Sequence, residues 1–174
     1  KMIFEFQREI GVETITEVSN FETAFNYNSE SFFSKEFLNP IYFSNFEKSE
    51  FNQKSIELGK LLFFDPLLSN NNKRACASCH NPNMAFTDGH KKSIATNFDV
   101  NSKRNAPTVI DAIFSDRFFY DLRSEKIEKQ LDHVIKGKDD FHTSYELIFE
   151  KLKKSTEYTD YFINAYPDHI EDPI

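Results

Sequence analysis

Tryptophan is missing from this chain, and its 174 residues hold two cysteines and two methionines. With one cysteine pair, Cys76 and Cys79, a zinc site built on paired cysteines lacks half of its roughly four ligands. Met2 and Met84 are the only thioether sulfurs that could reach a metal. No apolar run approaches the roughly 18 residues of a membrane span, and no signal peptide is visible. There is no internal repeat and no low-complexity tract. A strongly basic balance is also absent: 21 Lys and Arg stand against 28 Asp and Glu, a net charge of −7. Nucleic acid is therefore an unsuitable partner.

What is present fits a globular chain with a core of its own: 39% of residues are hydrophobic and 28% charged. The two cysteines fall in Cys76-Ala77-Ser78-Cys79-His80, the C-x-x-C-H pattern through which a c-type haem is attached. Each thiol can form a thioether to one haem vinyl group, and the histidine is then placed under the iron as its proximal ligand. A disulfide within the pair is the plainer alternative. A thioredoxin-like pair belongs at a helix start after a strand, whereas a polar stretch, Ser69 to Arg74, precedes this one. Haem of this kind is attached outside the cytoplasm, so a periplasmic or otherwise extracytoplasmic location is expected, with a leader removed before Lys1.

Charge is unevenly distributed. Residues 1–50 hold nine Glu against four Lys and Arg, and residues 70–104 hold six Lys and Arg against two Asp. The basic segment surrounds the haem motif, so Lys73, Arg74, Lys103 and Arg104 are candidates to neutralise the haem propionates; a solvated basic loop is the alternative. Twenty Phe suit a haem pocket but are scattered along the whole chain.

Residues 1–50 read as an extension or packing arm, with a docking segment as the alternative; residues 51–174 read as the domain proper. Within the arm, Phe4, Phe6, Ile10, Val12, Ile15 and Val18 partly alternate, and Phe21, Phe25, Phe32, Phe33 and Phe37 could share one or two helices. Beyond it, Ser55 is a plausible N-cap for a helix carrying Ile56, Leu58, Leu61 and Leu62, stopped by Asp65-Pro66. Residues 81–105 carry turn signals and read as a long loop around the haem. Three helices follow. One is capped at Ser124, with Ile127, Leu131, Val134 and Ile135 on a face. The next opens on a Thr143–Glu146 capping box, and the last is capped at Ser155 or Thr156 and ended by Pro167. No strand is convincing after residue 50.

The run Leu58-Gly59-Lys60-Leu61-Leu62-Phe63-Phe64-Asp65-Pro66-Leu67-Leu68-Ser69 continues into Cys76-Ala77-Ser78-Cys79-His80-Asn81-Pro82. Phe86-Thr87-Asp88-Gly89, Arg104-Asn105-Ala106-Pro107-Thr108, Phe119-Tyr120-Asp121-Leu122-Arg123 and Phe141-His142-Thr143-Ser144 follow. Over about residues 54–168 this set resembles the bacterial di-haem cytochrome c peroxidases and the related methylamine-utilisation di-haem enzymes. The resemblance implies an all-α, cytochrome c-like haem domain with long haem-wrapping loops. It also implies one covalent haem c that reacts with hydrogen peroxide, and electrons supplied by a donor cytochrome or by a second haem domain or chain.

Site residues follow from the same resemblance. His80 matches the proximal ligand, Gln130 a distal-pocket glutamine, and Asp140, with Asp139 beside it, the distal acid. Tyr120 stands where the family has a tryptophan between haems. Asn105 matches a calcium-binding asparagine, and Arg104 adjoins backbone that packs on the haem edge. Thr96 stands where many of these peroxidases hold a distal histidine, which implies an open distal position; His90 is the nearest substitute. His133 lies near Gln130, while His142 and His169 read as surface or structural. The alternative function is a mono-haem electron-transfer or accessory subunit of a larger complex. Such cytochromes close the iron with Met or a second His, and Met84, four residues after His80, is badly placed to do so.

Overall fold

The computed structural model describes residues 23–26, 29–44, 50–95 and 102–167. Among them five α-helices form and no strand does; three isolated bridges pair Phe25 with Leu38, Asn81 with Thr87 and Phe118 with Ser124. Helix α1 spans Gln53–Phe64. Its N-cap is Asn52, three residues before the expected Ser55. The Asn52 side-chain oxygen accepts the N–H groups of Lys54 and Ser55, and the Ser55 hydroxyl accepts the Asn52 N–H in return. Ser55 is thus the third residue of a capping box. Asp65 ends the helix as expected and caps the 3-10 turn Pro66–Leu68.

After the single-turn helix α2, Cys76–Cys79, a run of loops leads to α3, Ile127–Lys136, α4, Tyr145–Lys153, and α5, Thr156–Ala165. Two expected caps are corrected. Lys126, not Ser124, stands at the N-cap of α3 and offers no side-chain bond; the buried Ser124 instead donates to the Lys126 carbonyl. Ser144, not Thr143, caps α4, accepting from Leu147 N–H, while Thr143 Oγ1 is buried without a hydrogen-bond partner. Ser155 caps α5 as read, and the helix ends two residues before Pro167.

Leu58, Ile135, Phe141, Ile148, Leu152, Tyr158 and Ala165 form the core, and Leu61, Leu62, Val134 and Cys76 pack against it. Each large side chain buried there contributes about 1.5–3 kcal/mol. Helix α1 lies along α5, and two polar bonds tie them: Asn52 Nδ2 donates to the Ala165 carbonyl at 2.8 Å, and Tyr158 Oη donates to Asp65 Oδ2 at 2.5 Å. Helix α2 packs on α1, which brings the cysteine pair to the edge of the core.

The described part of the arm is bends and turns, so Phe25, Phe32, Phe33 and Phe37 do not share a helix. Phe37 instead gathers Phe25 and Phe32 at 5.5 and 5.1 Å, and Phe43 meets Phe114 edge-on at 5.5 Å. Phe4 to Phe21 lie outside the described residues.

Candidate haem-attachment site

The stretch before the cysteines is shaped by Ser69, which is fully buried. Its hydroxyl accepts the backbone N–H groups of Lys73 and Arg74. From α4, the Lys151 ammonium donates to the carbonyls of Leu67 (3.1 Å) and Ser69 (2.5 Å) and to Asn72 Oδ1 (2.7 Å). Sequence reasoning missed Lys151, because nothing local marks a lysine whose partners lie some eighty residues away. Ala75 N–H donates to Ser78 Oγ, closing the turn that holds the two thiols. Both cysteines are free and half-buried, so the disulfide alternative is not the state of this structure. Burial pushes the Cys76 thiol up to about 11. It raises Cys79 as well, against the Arg74 guanidinium, which pulls the other way.

His80 carries the strongest signal. Its Nδ1 lies 3.0 Å from the Pro107 carbonyl and 3.2 Å from the Phe86 carbonyl. Carbonyl oxygens only accept, so Nδ1 carries a proton, and in the neutral ring the lone pair then belongs to Nε2. That is the tautomer a metal-binding imidazole needs, with the outer nitrogen oriented by backbone. Two neutral thiols on one turn and an imidazole so held fit a covalent haem c: Cys76 and Cys79 would carry the thioethers, and His80 Nε2 the iron.

The other predicted residues divide into groups. Arg74 is buried at 4% exposure and donates to Cys79 Sγ at 3.2 Å and to the Ala95 carbonyl at 2.8 Å, so it is no solvated loop cation. Asp140 reaches the same neighbourhood. The chain turns back after α3 at Gly137, where a Cβ would come within 2.6 Å of Asp140 Oδ2 and 2.9 Å of the His133 carbonyl. Asn70 N–H then donates to the Phe141 carbonyl at 3.0 Å, joining that turn to the loop before the cysteines. Burial raises the Asp140 pKa, the Asp139 charge adds to this, and Arg74 opposes it. Gln130 is half-buried on α3, and its amide makes no hydrogen bond among the described residues.

Arg104 and Tyr120 form a second group. The Arg104 guanidinium lies over the Tyr120 ring, 4.7 Å from its centre, and Tyr120 is 87% exposed. Lys73, Lys103, His90, Asn105 and His142 are exposed. His90 is held through its backbone N–H, which donates to Asp88 Oδ1. His133 packs edge-on against Phe119. The Met84 methyl and sulfur lie beside Gly89, at the turn that follows the motif. No group of three or more His, Cys, Asp or Glu that could hold a metal ion forms among the described residues. Thr96 and His169 lie outside them.

The family profile described as "Di-haem cytochrome c peroxidase" matches residues 53–174. This chain belongs to the di-haem cytochrome c peroxidase family. It is 34% identical to the methylamine utilization protein MauG of Methylorubrum extorquens over 121 residues, 70% of this chain and 33% of that one. It is 33% identical to the cytochrome c551 peroxidase of Pseudomonas aeruginosa over 116 residues, 67% of this chain and 33% of that one. It thus spans about a third of the length of these curated relatives. Among solved structures, a MauG-like protein associated with microbial copper homeostasis superimposes with a TM-score of 0.62 at 27% identity, covering 67% of this chain and 35% of that one. The diheme peroxidase BthA from Burkholderia thailandensis shares the fold, with a TM-score of 0.59 at 24% identity, covering 70% of this chain and 35% of that one. The all-α, cytochrome c-like architecture expected for the family is therefore the one this chain adopts.

Proposed function

We propose that residues 51–174 form the peroxide-reacting haem domain of a di-haem peroxidase-type oxidoreductase, with residues 1–50 as an arm packed on it. The observation that carries this reading is His80 Nδ1 bonded to the Pro107 and Phe86 carbonyls, beside two free thiols, in a chain of this family. A haem attached there supplies an iron at which hydrogen peroxide is reduced to water.

The chain's own residues supply the rest. Asp140, half-buried and with its pKa raised by that burial, is the acid that moves a proton from one peroxide oxygen to the other. Gln130, with an uncommitted amide on α3, orients the peroxide. Arg104 and the propionates make a charge pair at the rim, with Lys73 as a further exposed cation. Tyr120, exposed beneath Arg104, is the point where electrons enter from a second haem domain, a second chain or a donor cytochrome. Asn105 would offer a calcium ion one side-chain oxygen, and the remaining ligands would come from that partner. With Thr96 in the sequence where a histidine would close the iron, the distal side would be left open to peroxide. The protein works in the periplasm or another extracytoplasmic space; no helix among the described residues is long and apolar enough to cross a membrane.

The test joins an optical spectrum, native mass and a mutant. The ferric protein is expected to be high-spin, and Asp140→Ala to slow peroxide turnover by about 10²–10⁴ with haem attachment intact. Unchanged turnover would leave Asp140 structural. A low-spin spectrum that disappears in His90→Ala would show a ligand-closed site. A low-spin spectrum without any peroxide turnover would favour the electron-transfer or accessory subunit. Native mass counts the haems in the assembly.

A further inference from the structure

Arg74 is a charged residue buried beside the attachment cysteines, and the peroxide reading leaves it without a task. It is 4% exposed. One arm of its fork donates to Cys79 Sγ at 3.2 Å and the other to the Ala95 carbonyl at 2.8 Å, while its backbone N–H is held by Ser69 Oγ at 3.1 Å. Arginine stays protonated at any working pH, so a full positive charge is fixed against the sulfur. Two carboxylates act on the same sulfur with the opposite sign: Asp88, itself buried, and Asp140. Asp139 and Arg74 in turn both act on Asp140.

We propose that Arg74 sets the redox poise of the haem carried by Cys79 and holds the loop through Ala95 against that attachment point. Oxidation of a haem iron from the ferrous to the ferric state removes one electron and leaves one more positive charge. A fixed cation beside the attachment sulfur, in a site largely shielded from water, opposes that change. Arg74 therefore favours the ferrous form, and Asp88 and Asp140 favour the ferric one. The second role follows from shape: two parallel donors on one rigid plane can bridge a sulfur on α2 and a carbonyl 21 residues away, and a lysine's single ammonium cannot match that fork. The inference rests on haem attachment at Cys79, and not on peroxide being the substrate.

The test is spectroelectrochemical titration of the haem-loaded full chain. R74Q removes the charge and keeps a polar side chain. It is expected to shift the one-electron equilibrium toward ferric by about tenfold, a fall in midpoint of about 59 mV. R74K keeps the charge and is expected to stay near the wild-type midpoint, with faster proteolysis in the loop around Ala95. Equal shifts in R74Q and R74K, or no shift in R74Q, would overturn the charge role. If R74Q does not load haem, R74K carries the test alone. A buried lysine gives up its proton at lower pH than arginine does. The R74K midpoint must then fall at alkaline pH more steeply than wild type, and parallel slopes overturn the proposal. Acid–acetone extraction on each sample separates this outcome from a failure of the functional reading: haem lost from wild type refutes attachment itself, whatever Arg74 does.

Discussion

The helical layer and the loops between α1 and α3 bury different kinds of residue. Leu58, Ile135, Phe141, Ile148 and Leu152 close the helical core with large apolar side chains. Among the described residues the loops bury Ser69, Arg74, Ala75, Asp88, Ser93, Ala95, Ala106 and Ser124, with Phe118 the one large apolar residue buried there. Four of their large apolar residues, Met84, Ile94, Ile110 and Leu122, stand exposed. Six of the seven described non-glycine residues with positive φ also lie there, from Asn72 to Leu122. Each left-handed residue costs about 1–2 kcal/mol, and the loops' hydrogen bonds to Ser69 Oγ and from the Arg74 guanidinium and His80 Nδ1 offset that strain. One half thus supplies its own core. The other buries mainly small and polar residues around the cysteine pair.

The sharpest way to break this contrast is to remove the attachment. Cys76→Ala with Cys79→Ala is expected to release all haem into acid–acetone. Amide exchange should then rise through residues 81–122 while α1, α4 and α5 stay protected; uniform deprotection would merge the two halves into one unit. Leu58→Ala tests the opposite side. Leu58 is 3% exposed at the α1–α5 contact, and its truncation should cost about 2–5 kcal/mol in urea unfolding with thioether formation unaffected.

Lys151 joins the halves, so Lys151→Met should fall between these extremes. It removes the ammonium from the Leu67 carbonyl and leaves the Ser69 carbonyl with the Asn72 N–H alone, and is expected to lose about 1–3 kcal/mol. Faster proteolysis should begin in the loop at 69–75 before the helices open.

The smallest effect is one of pH. Burial raises the Asp140 pKa above its ordinary 3.8, so the folded chain prefers the neutral acid. The contribution is complete below 3.8 and is lost as pH rises through the folded value. Asp140→Asn should flatten the stability–pH curve in that window without shifting the acid limb below it; an unchanged slope would mean that the carboxyl is solvated.

How legible the chain was follows the same division. The cysteine pair, His80, the stop at Asp65-Pro66 and the Ser155 cap were readable, because each acts on neighbours within a few residues. The cap at Asn52 rather than Ser55 was misjudged: both side chains can cap, and the choice depends on where α1 must begin to let Asn52 reach Ala165. Thr143 and Ser144 were confused for the same reason, since one residue of slip decides which hydroxyl faces the core. Local chemistry in the sequence therefore pointed to a covalent haem, with Cys76 and Cys79 placed for the thioethers and His80 for the iron. Only the tertiary structure decided that Arg74, read as a candidate propionate partner, would be buried against Cys79, and that Lys151 would reach across to the loop before it. Those contacts join residues far apart in the chain, and their strength comes from burial, which no single stretch of sequence carries.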